Sequence, residues 1–388
     1  MTKSRHRRVC VVITARASYA RVKTALEAIR AHDDLELLLV GAASVLLDRY
    51  GSAIHVIERD GFTVNARVHM MLEGENLVTS AKSTGIGLVE LATVFDNLRP
   101  DVVVTVADRF ETLATAAAAA YMNIPLAHVQ GGEVTGSIDE KVRHAVTKLA
   151  DLHFVATENS RARVIRMGED PAHVYNTGCP AIDLAAQVAQ SPALDFDPFA
   201  KYGGVGAPVD LSGGYLIVLQ HPVTTEYQQA RAQIAETLHA AAQSTLPVLW
   251  FWPNVDAGSD GTSKEIRAFR ETHAPKNLHF FKNMDPEDFL RLAINSRCIV
   301  GNSSVGLREC AFLGVPAVNI GTRQSGRDRG ANVIDVAHDR RAIADAMARQ
   351  TAHGPYPSDG VYGGGNAGVR IADLLATAPL ISDKRITY

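Results

Sequence analysis

The alternation of short apolar strands with helices is the feature that most constrains this fold. Residues 9–13, 101–106 and 125–129 are apolar runs rich in β-branched residues, and apolar residues at helical spacing follow at 20–30 and 111–121. Continuous apolar strands separated by helices are typical of a parallel, doubly wound sheet that is covered on both faces. The first half therefore predicts an α/β domain of the Rossmann type.

The same alternation begins again in the second half, after a stretch at 191–214 that is rich in Pro, Gly and Asp. The second series has predicted strands at 215–219, 247–252, 298–300 and 317–320, and predicted helices at 228–242, 285–293 and 305–313. The stretch between the two series has no apolar period, which indicates a linker.

The length of the chain agrees with two domains, because 388 residues exceed what one hydrophobic core usually holds. We predict an N-terminal Rossmann-like domain at 1–190 and a C-terminal one at 210–366. A last helix within 367–380 is a candidate to pack back on the first domain.

Composition excludes several classes of protein. With 46% hydrophobic residues and a net charge of -3, the chain is typical of globular proteins and gives no sign of a nucleic-acid partner. No window approaches the ~20 apolar residues of a membrane span, and the basic run at 3–8 lacks the apolar stretch of a signal peptide. The four cysteines are isolated and flanked by apolar residues, which favours core packing over metal binding. We expect a cytoplasmic protein without a metal.

Polar residues follow four of the predicted strands. Arg16 follows the first strand, and Asp108 and Arg109 follow the strand at 101–106. The segment 130–133 follows the strand at 125–129, and His221 follows the first predicted strand of the second half. Ligands of open α/β sheets bind beyond the carboxyl ends of the strands. The sequence therefore predicts a site in a cleft that two such domains would share.

Each of these residues also has a structural interpretation. Asp108 is either a helix N-cap or a catalytic carboxylate, and Asp139 could instead cap a helix or pair with Arg143 on a solvent face. Gly131 and Gly132 would let a ligand approach the backbone closely, or simply form a tight loop. A lone His221 is often only a hydrogen-bonded structural residue.

The segment 301–306, Gly-Asn-Ser-Ser-Val-Gly, is the strongest signal for a ligand. Small hydroxylated residues that open a helix offer amide groups and hydroxyls to a phosphate, although a doubly capped helix would look the same. Glu309 could hold both hydroxyls of a ribose, and Arg323 could offset the charge of a pyrophosphate. Phosphate-loop, dinucleotide-glycine and metalloprotease motifs are all absent.

Seven segments in order resemble the hydrolysing UDP-N-acetylglucosamine 2-epimerases of sialic acid and legionaminic acid biosynthesis. They are 15–19, 108–111, 131–139, 143–149, 220–225, 253–258 and 301–309. The resemblance implies a GT-B type fold, in which two Rossmann-like doubly wound domains face each other across a cleft. It also implies the conversion of UDP-GlcNAc, or of UDP-2,4-diacetamido-2,4,6-trideoxy-glucose, to UDP and the free manno-configured sugar without a cofactor.

The resemblance also implies roles for individual residues. The catalytic set would be Asp108, Gln130, Asp139 and His221. The substrate-binding set would be Arg16, Ala17, Arg109, Glu133, Asn254, Ser303, Ser304, Glu309 and Arg323. Because the C2 proton of the sugar is not acidic, it can leave only as UDP departs from C1. We expect Asp108 and Asp139 to be the proton-transfer pair and His221 to lie near the diphosphate.

Gln130 departs from the sialic-acid-pathway members, which carry a glutamate at this position. An amide cannot act as a base, so Gln130 either orients substrate or water, or indicates a different sugar. The alternatives are a non-hydrolysing 2-epimerase, a GT-B glycosyltransferase and a sugar-nucleotide sensor without catalysis. A homodimer or homotetramer is the expected assembly.

Overall fold

The structure is a computed structural model that describes residues 6–48, 53–73, 77–107, 109–134, 138–253 and 259–387. The chain divides into two units. The first comprises 1–134, 138–183 and 363–388, and the second comprises 135–137 and 184–362. The chain therefore leaves the first unit after Asp183 and returns to it at Gly363.

The first unit contains seven parallel strands within the described residues, in the order β3-β2-β1-β4-β5-β6-β7. The strands are β1 (Arg7–Ile13), β2 (Leu35–Ala42), β3 (Val64–Val68), β4 (Val102–Val106), β5 (Leu126–Val129), β6 (Leu152–Val155) and β7 (Val174–Asn176). The helices are α1 (Arg16–Ala31), α2 (Ala53–Arg59), α3 (Leu77–Leu98), α4 (Phe110–Tyr121), α5 (Ile138–Leu149), α6 (Glu158–Arg166) and, from the end of the chain, α14 (Ala367–Thr377). The strand order reverses between β1 and β4, as in Rossmann-like sheets.

Both faces of the first sheet are buried. Val9, Val11 and Ile13 of β1 pack into one apolar cluster, and Cys10 and Val12 pack into another on the opposite face. This alternation follows from the period of two along a strand, and it explains why β1 is apolar throughout.

The second unit contains six parallel strands within the described residues, in the order β10-β9-β8-β11-β12-β13. The strands are β8 (Leu216–Leu219), β9 (Val248–Phe251), β10 (Leu278–Phe281), β11 (Cys298–Gly301), β12 (Ala317–Ile320) and β13 (Val333–Val336). The helices are α7 (Pro180–Gln190), which starts in the first unit, α8 (Pro198–Tyr202), α9 (Ala230–Ala242), α10 (Ser259–His273), α11 (Pro286–Ile294), α12 (Glu309–Leu313) and α13 (Arg340–His353). The order again reverses at the first strand of the unit, between β8 and β11.

The stretch at 191–214 is not a free linker, so that prediction is wrong. Asp197 caps α8 by accepting hydrogen bonds from the amides of Phe199 and Ala200 at 2.8 and 3.2 Å. Phe199 stacks on Phe281 of β10 with ring centroids 5.8 Å apart. Gly204 has a φ of +114°, and a Cβ there would lie 2.4 Å from Nε2 of His279. Gly204 is therefore needed for close packing against the second sheet.

The final helix α14 packs on α1 within the first unit. A Cβ on Gly368 would lie 2.6 Å from the backbone of Thr24 in α1, so the two helices are in close contact. Asp183 accepts hydrogen bonds from the amides of Ala367 and Gly368 at 2.8 and 2.7 Å and from the hydroxyl of Thr24 at 2.9 Å. A buried carboxylate thus caps α14 and binds it to α1.

The four cysteines are all buried and free, as the sequence predicts. Burial raises the pKa of the Cys10 thiol to about 12, and it raises the pKa of Cys298 and of Cys310 as well. These thiols are therefore protonated at neutral pH and pack as core residues. Along the described parts of the chain, none of the helices has the length and apolar character required to cross a membrane.

Candidate active site

The turn after β4 carries the first cluster of predicted site residues. Ala107 is the first residue after the strand and has a φ of +65°, in the left-handed region that non-glycine residues rarely adopt. Its amide still donates to the carbonyl of Val129 in β5 at 3.0 Å. Arg109 then begins α4 as its N-cap. Asp108, the predicted catalytic carboxylate, lies outside the described residues.

Arg109 is held by a buried carboxylate. Its Nε lies 3.2 Å from Oε2 of Glu111, and its Nη2 lies 3.3 Å from Oε1. The Glu111 side chain is fully buried, whereas that of Arg109 is 40% exposed. The pair fixes the direction of a guanidinium that remains accessible to a ligand.

The turn after β5 begins with Gln130, which also has a left-handed φ of +66°. Its side chain is fully buried, and Nε2 lies 3.1 Å from the sulfur of Cys179. Oε1 is buried without a hydrogen-bond partner among the described residues. Arg143 donates from Nη1 to the backbone carbonyl of Gln130 at 2.5 Å. A buried amide acceptor therefore remains available in this turn.

Packing within the first unit requires glycine at positions 131 and 132. A Cβ on Gly132, whose φ is +73°, would lie 2.4 Å from the carbonyl oxygen of Ser160. A Cβ on Gly131 would lie 3.0 Å from both His128 and Thr147. The tight-loop interpretation therefore explains both glycines, without a ligand. Glu133, two residues after Gly131, is buried.

Helix α5 follows this turn and contains Asp139 as its second residue. The side chain of Asp139 lies outside the described residues. Arg143 is fully buried, so it does not lie on a solvent face as one interpretation of Asp139 supposed. Its guanidinium lies in the interior, where it supports the turn at Gln130.

Arg16 and Ala17 form the start of α1, directly after β1. The N-cap is Ala15, whose side chain cannot cap the helix. Arg16 is half-buried and Ala17 is exposed. The start of α1 thus lies at the carboxyl edge of the first sheet, together with the turns after β4 and β5.

In the second unit, His221 follows β8 and is clamped by one side chain. Oδ1 of Asn302 accepts from the amide of His221 at 2.7 Å, and Nδ2 of Asn302 donates to its carbonyl at 2.8 Å. Only 6% of His221 is exposed. Burial, and secondarily the charge of Arg323, lower the pKa of His221 to about 3. The imidazole is therefore neutral at physiological pH.

The segment after β11 differs from the predicted helix at 305–313. Ser304–Gly306 forms a 3₁₀ turn, and α12 contains only Glu309–Leu313, because Arg308 interrupts the helix with φ and ψ of -103° and -79°. The hydroxyl of Ser303 caps the turn by accepting from the amide of Val305 at 3.4 Å. Ser303, Ser304 and Glu309 are all half-buried.

Arg323 lies after β12 and is joined to this segment through Asn302. The carbonyl of Asn302 accepts from Nη1 of Arg323 at 3.2 Å and from Nε2 of Gln324 at 2.7 Å. His221, the serines and Arg323 are thus brought together at one edge of the second sheet. Asn254 lies outside the described residues.

Sequence analysis did not identify the supporting role of five buried polar residues. Glu111, His128, Arg143, Asn302 and Gln324 are buried and hydrogen-bonded to turns that carry predicted site residues. A polar residue inside an apolar strand, such as His128, is a signal that could have indicated one of them, because burial of an imidazole requires partners.

Two parallel sheets of Rossmann-like strand order, each with polar residues at its carboxyl edge, define an α/β protein of the GT-B type. A solved UDP-GlcNAc 2-epimerase from Neisseria meningitidis, bound to UDP-GlcNAc, has the same fold, with a TM-score of 0.79, 18% identity, and coverage of 95% of this chain and 99% of that one. The model of the UDP-N-acetylglucosamine 2-epimerase family matches residues 27–376. The chain belongs to this family.

Individual relatives match over nearly the whole chain. The UDP-N,N'-diacetylbacillosamine 2-epimerase (hydrolyzing) of Legionella pneumophila is 32% identical over 376 residues, which cover 97% of each chain. The polysialic acid biosynthesis protein P7 of Escherichia coli is 32% identical and covers 87% of this chain and 84% of its own. The family resemblance inferred from the seven segments is therefore confirmed.

Proposed function

We propose that the protein is a hydrolysing UDP-sugar 2-epimerase that releases UDP and a free manno-configured 2-acetamido sugar. The observation that carries the proposal is the 32% identity over 97% of both chains with a hydrolysing relative. The product would enter nonulosonic acid biosynthesis, in agreement with the similarity to the polysialic acid protein.

The proposed reaction has two steps, an elimination and a hydration. First, a carboxylate takes the proton from C2 while the C1–O bond breaks, so that UDP leaves with the electron pair and a C1–C2 double bond forms. Water then adds its hydroxyl to C1, and a proton reaches C2 from the opposite face, which inverts C2. We assign the proton transfers to Asp108 and Asp139, since both are carboxylates in the segments that resemble the family.

The second unit supports binding of the UDP moiety. We assign the diphosphate to Ser303, Ser304 and Arg323, and the ribose to Glu309. Neutral His221 can donate a hydrogen bond to a diphosphate oxygen without proton transfer, since its pKa of about 3 keeps it uncharged. Asn254 is proposed to contribute to UDP binding on the resemblance alone.

The first unit supports binding of the UDP-sugar as well as the chemistry. Arg109, oriented by Glu111, and Arg16 are assigned to the UDP moiety, and Ala17 and Glu133 are proposed to contact the substrate. Gln130 cannot take a proton, so we assign it the orientation of the sugar or of water through its buried Oε1. The identity with the UDP-N,N'-diacetylbacillosamine 2-epimerase makes UDP-2,4-diacetamido-2,4,6-trideoxy-glucose the first substrate to test.

The test is to incubate the protein with this UDP-sugar and, separately, with UDP-GlcNAc in deuterated water without acceptor or metal. Proton NMR should show UDP and a free manno sugar that carries deuterium at C2, and the faster substrate identifies the sugar. Retention of UDP on a manno-configured sugar would instead identify a non-hydrolysing 2-epimerase. Binding of UDP without any turnover would contradict the enzymatic proposal.

Variants test the residue assignments. Asp108→Asn and Asp139→Asn should each abolish turnover and leave the dissociation constant of UDP unchanged, because the second unit is proposed to bind UDP. The matched control is Asp33→Asn, at an exposed position away from the turns. Full turnover by either of the first two variants would remove that residue from the proton-transfer pair. The predicted dimer or tetramer can be measured by light scattering on the same samples.

A further inference from the structure

The turns after β4 and β5 share an unusual backbone feature. Ala107 and Gln130 are each the first residue after a strand, and each has a left-handed φ, of +65° and +66°. Their amides continue the sheet, donating to Val129 at 3.0 Å and to Phe154 at 2.8 Å. Non-glycine residues hold this conformation only where surrounding contacts enforce it. In each turn a buried side chain contacts the carbonyl of this residue: His128 contacts that of Ala107 and Arg143 that of Gln130.

His128 is the group that holds the turn after β4. Its Nε2 lies 2.9 Å from the carbonyl oxygen of Ala107, and its ring is fully buried. A carbonyl oxygen can only accept, so Nε2 carries the proton and donates it. This carbonyl belongs to the peptide group that joins Ala107 to Asp108. The contact thus acts on the backbone directly before the proposed catalytic carboxylate.

Thr147 and Gly131 fix the orientation of the imidazole. Oγ1 of Thr147, in α5, lies 3.1 Å from Nδ1 of His128, and Thr147 is fully buried. With Nε2 protonated, the neutral ring accepts the hydroxyl proton of Thr147 at Nδ1. A Cβ on Gly131 would lie 3.0 Å from both of these atoms, so a larger residue there would displace the pair. One tautomer and one ring position are therefore enforced.

We propose that His128 is a positioning residue for the proposed reaction, which fixes the backbone of the turn after β4 directly before residue 108. The inference rests on the proposed function, in which Asp108 takes part in proton transfer. Apolar packing alone does not account for His128, because a leucine would fill the interior of β5 without requiring two hydrogen-bond partners. Small displacements of a catalytic group lower the rate of the chemical step more than they lower binding.

The test compares His128→Leu, which removes the donor, with His128→Gln, whose amide nitrogen can reach the position of Nε2. The matched control is His153→Gln: His153 pairs with His128 in register on β6 and is also buried, but it contacts Glu169 at 3.0 Å rather than Ala107. For each variant we would measure kcat, KM, the dissociation constant of UDP and the folded fraction.

The expected result is a fall in kcat of about tenfold or more in His128→Leu at unchanged KM and UDP affinity. His128→Gln should recover most of the loss, and His153→Gln should lower stability but not the kcat of the folded enzyme. Equal losses in His128→Leu and His128→Gln, or losses that follow the folded fraction alone, would show a purely structural role and overturn the proposal.

A second measurement keeps the inference testable if the wild type turns over neither UDP-sugar. Hydrogen exchange should then be faster in His128→Leu at the amides of Ala107 and Thr112, which donate to the carbonyls of Val129 and Arg109, and close to wild type in His128→Gln. Equal protection in all three proteins would overturn the positioning role, independently of the proposed function.

Discussion

His221 should make the second unit sensitive to acid. Its pKa falls from the ordinary 6.5 to about 3 in the folded protein, because the ring is buried and Arg323 lies nearby. Between these values the unfolded chain binds a proton that the folded chain does not, so the free energy of unfolding rises with pH through this window. The stability is complete above pH 6.5 and is lost as the pH falls towards 3.

The magnitude follows from the size of the shift. One pKa unit corresponds to about 1.4 kcal/mol, so His221 alone should remove about 2 kcal/mol between pH 7 and pH 5. In His221→Gln this contribution should be absent, since glutamine does not titrate. The difference between the two proteins, rather than either absolute value, isolates His221, because the other titrating groups are common to both.

The assay can report on the second unit alone. Both tryptophans of the chain, Trp250 and Trp252, belong to that unit, so urea unfolding followed by tryptophan fluorescence at pH 7 and pH 5 reads its stability. The control is His55→Gln, since the His55 side chain is 73% exposed. The same loss of stability from pH 7 to pH 5 in wild type and in His221→Gln would refute the reasoning.

Three further substitutions test the first unit. Gly132→Ala should destabilise this unit by about 2–4 kcal/mol in thermal unfolding, because Gly132 has a φ of +73° and the new Cβ would lie 2.4 Å from a carbonyl oxygen. Its control is Gly85→Ala, at a helical position with open space, which should be neutral or stabilising in the same experiment. Glu169→Gln should lower the melting temperature and reduce the acid-dependent loss of stability between pH 4.5 and 2, since burial raises but His153, Lys148 and Lys384 together lower the pKa of Glu169 to about 2. The same loss of stability in this pH range in wild type and variant would contradict this. Asp183→Ala should weaken the attachment of α14 by about 1–2 kcal/mol through loss of its cap; undiminished hydrogen-exchange protection of α14 would count against it.

Much of the fold could be predicted because strand and helix boundaries coincide with strong local signals. The strand at 317–320 was predicted with the bounds of β12, since Pro316 precedes it and Gly321 follows it. The helix α14 lies within its predicted range for a similar reason. By contrast, β6 and β7 were missed, because strands of four and three residues that contain His153 or Asn176 show no clear apolar run.

The stretch at 191–214 shows why composition alone misled the prediction. Glycine is common both in free linkers and in loops that approach other atoms closely, and the sequence does not distinguish the two. Gly204 must be glycine because a Cβ there would collide with the ring of His279, which lies 75 positions later in the sequence. Such a contact depends on tertiary packing, and no local pattern encodes it.

The positions of candidate site residues in the fold were predictable, whereas the residues that support them were not. Parallel topology requires polar residues after strands to gather at the carboxyl edge of a sheet, so Arg109, Gln130 and His221 could be placed from the sequence. The groups that hold their turns come from other elements, as Arg143 does from α5 and Asn302 does from the segment after β11. These side chains bind backbone atoms, which every residue type carries, so no sequence pattern indicates the contact.

The discontinuity of the first unit has a consequence for biosynthesis of the chain. The second unit, apart from 135–137, is the contiguous segment 184–362, whereas α14, which packs on α1, comes after it. During translation the second unit can complete its sheet while the first still lacks the helix that covers Ala25 and Leu26. Until then the residues of α1 that pack on α14 lack their partner in the nascent chain, and we expect the core of the first unit to be complete only after α14 has been synthesised.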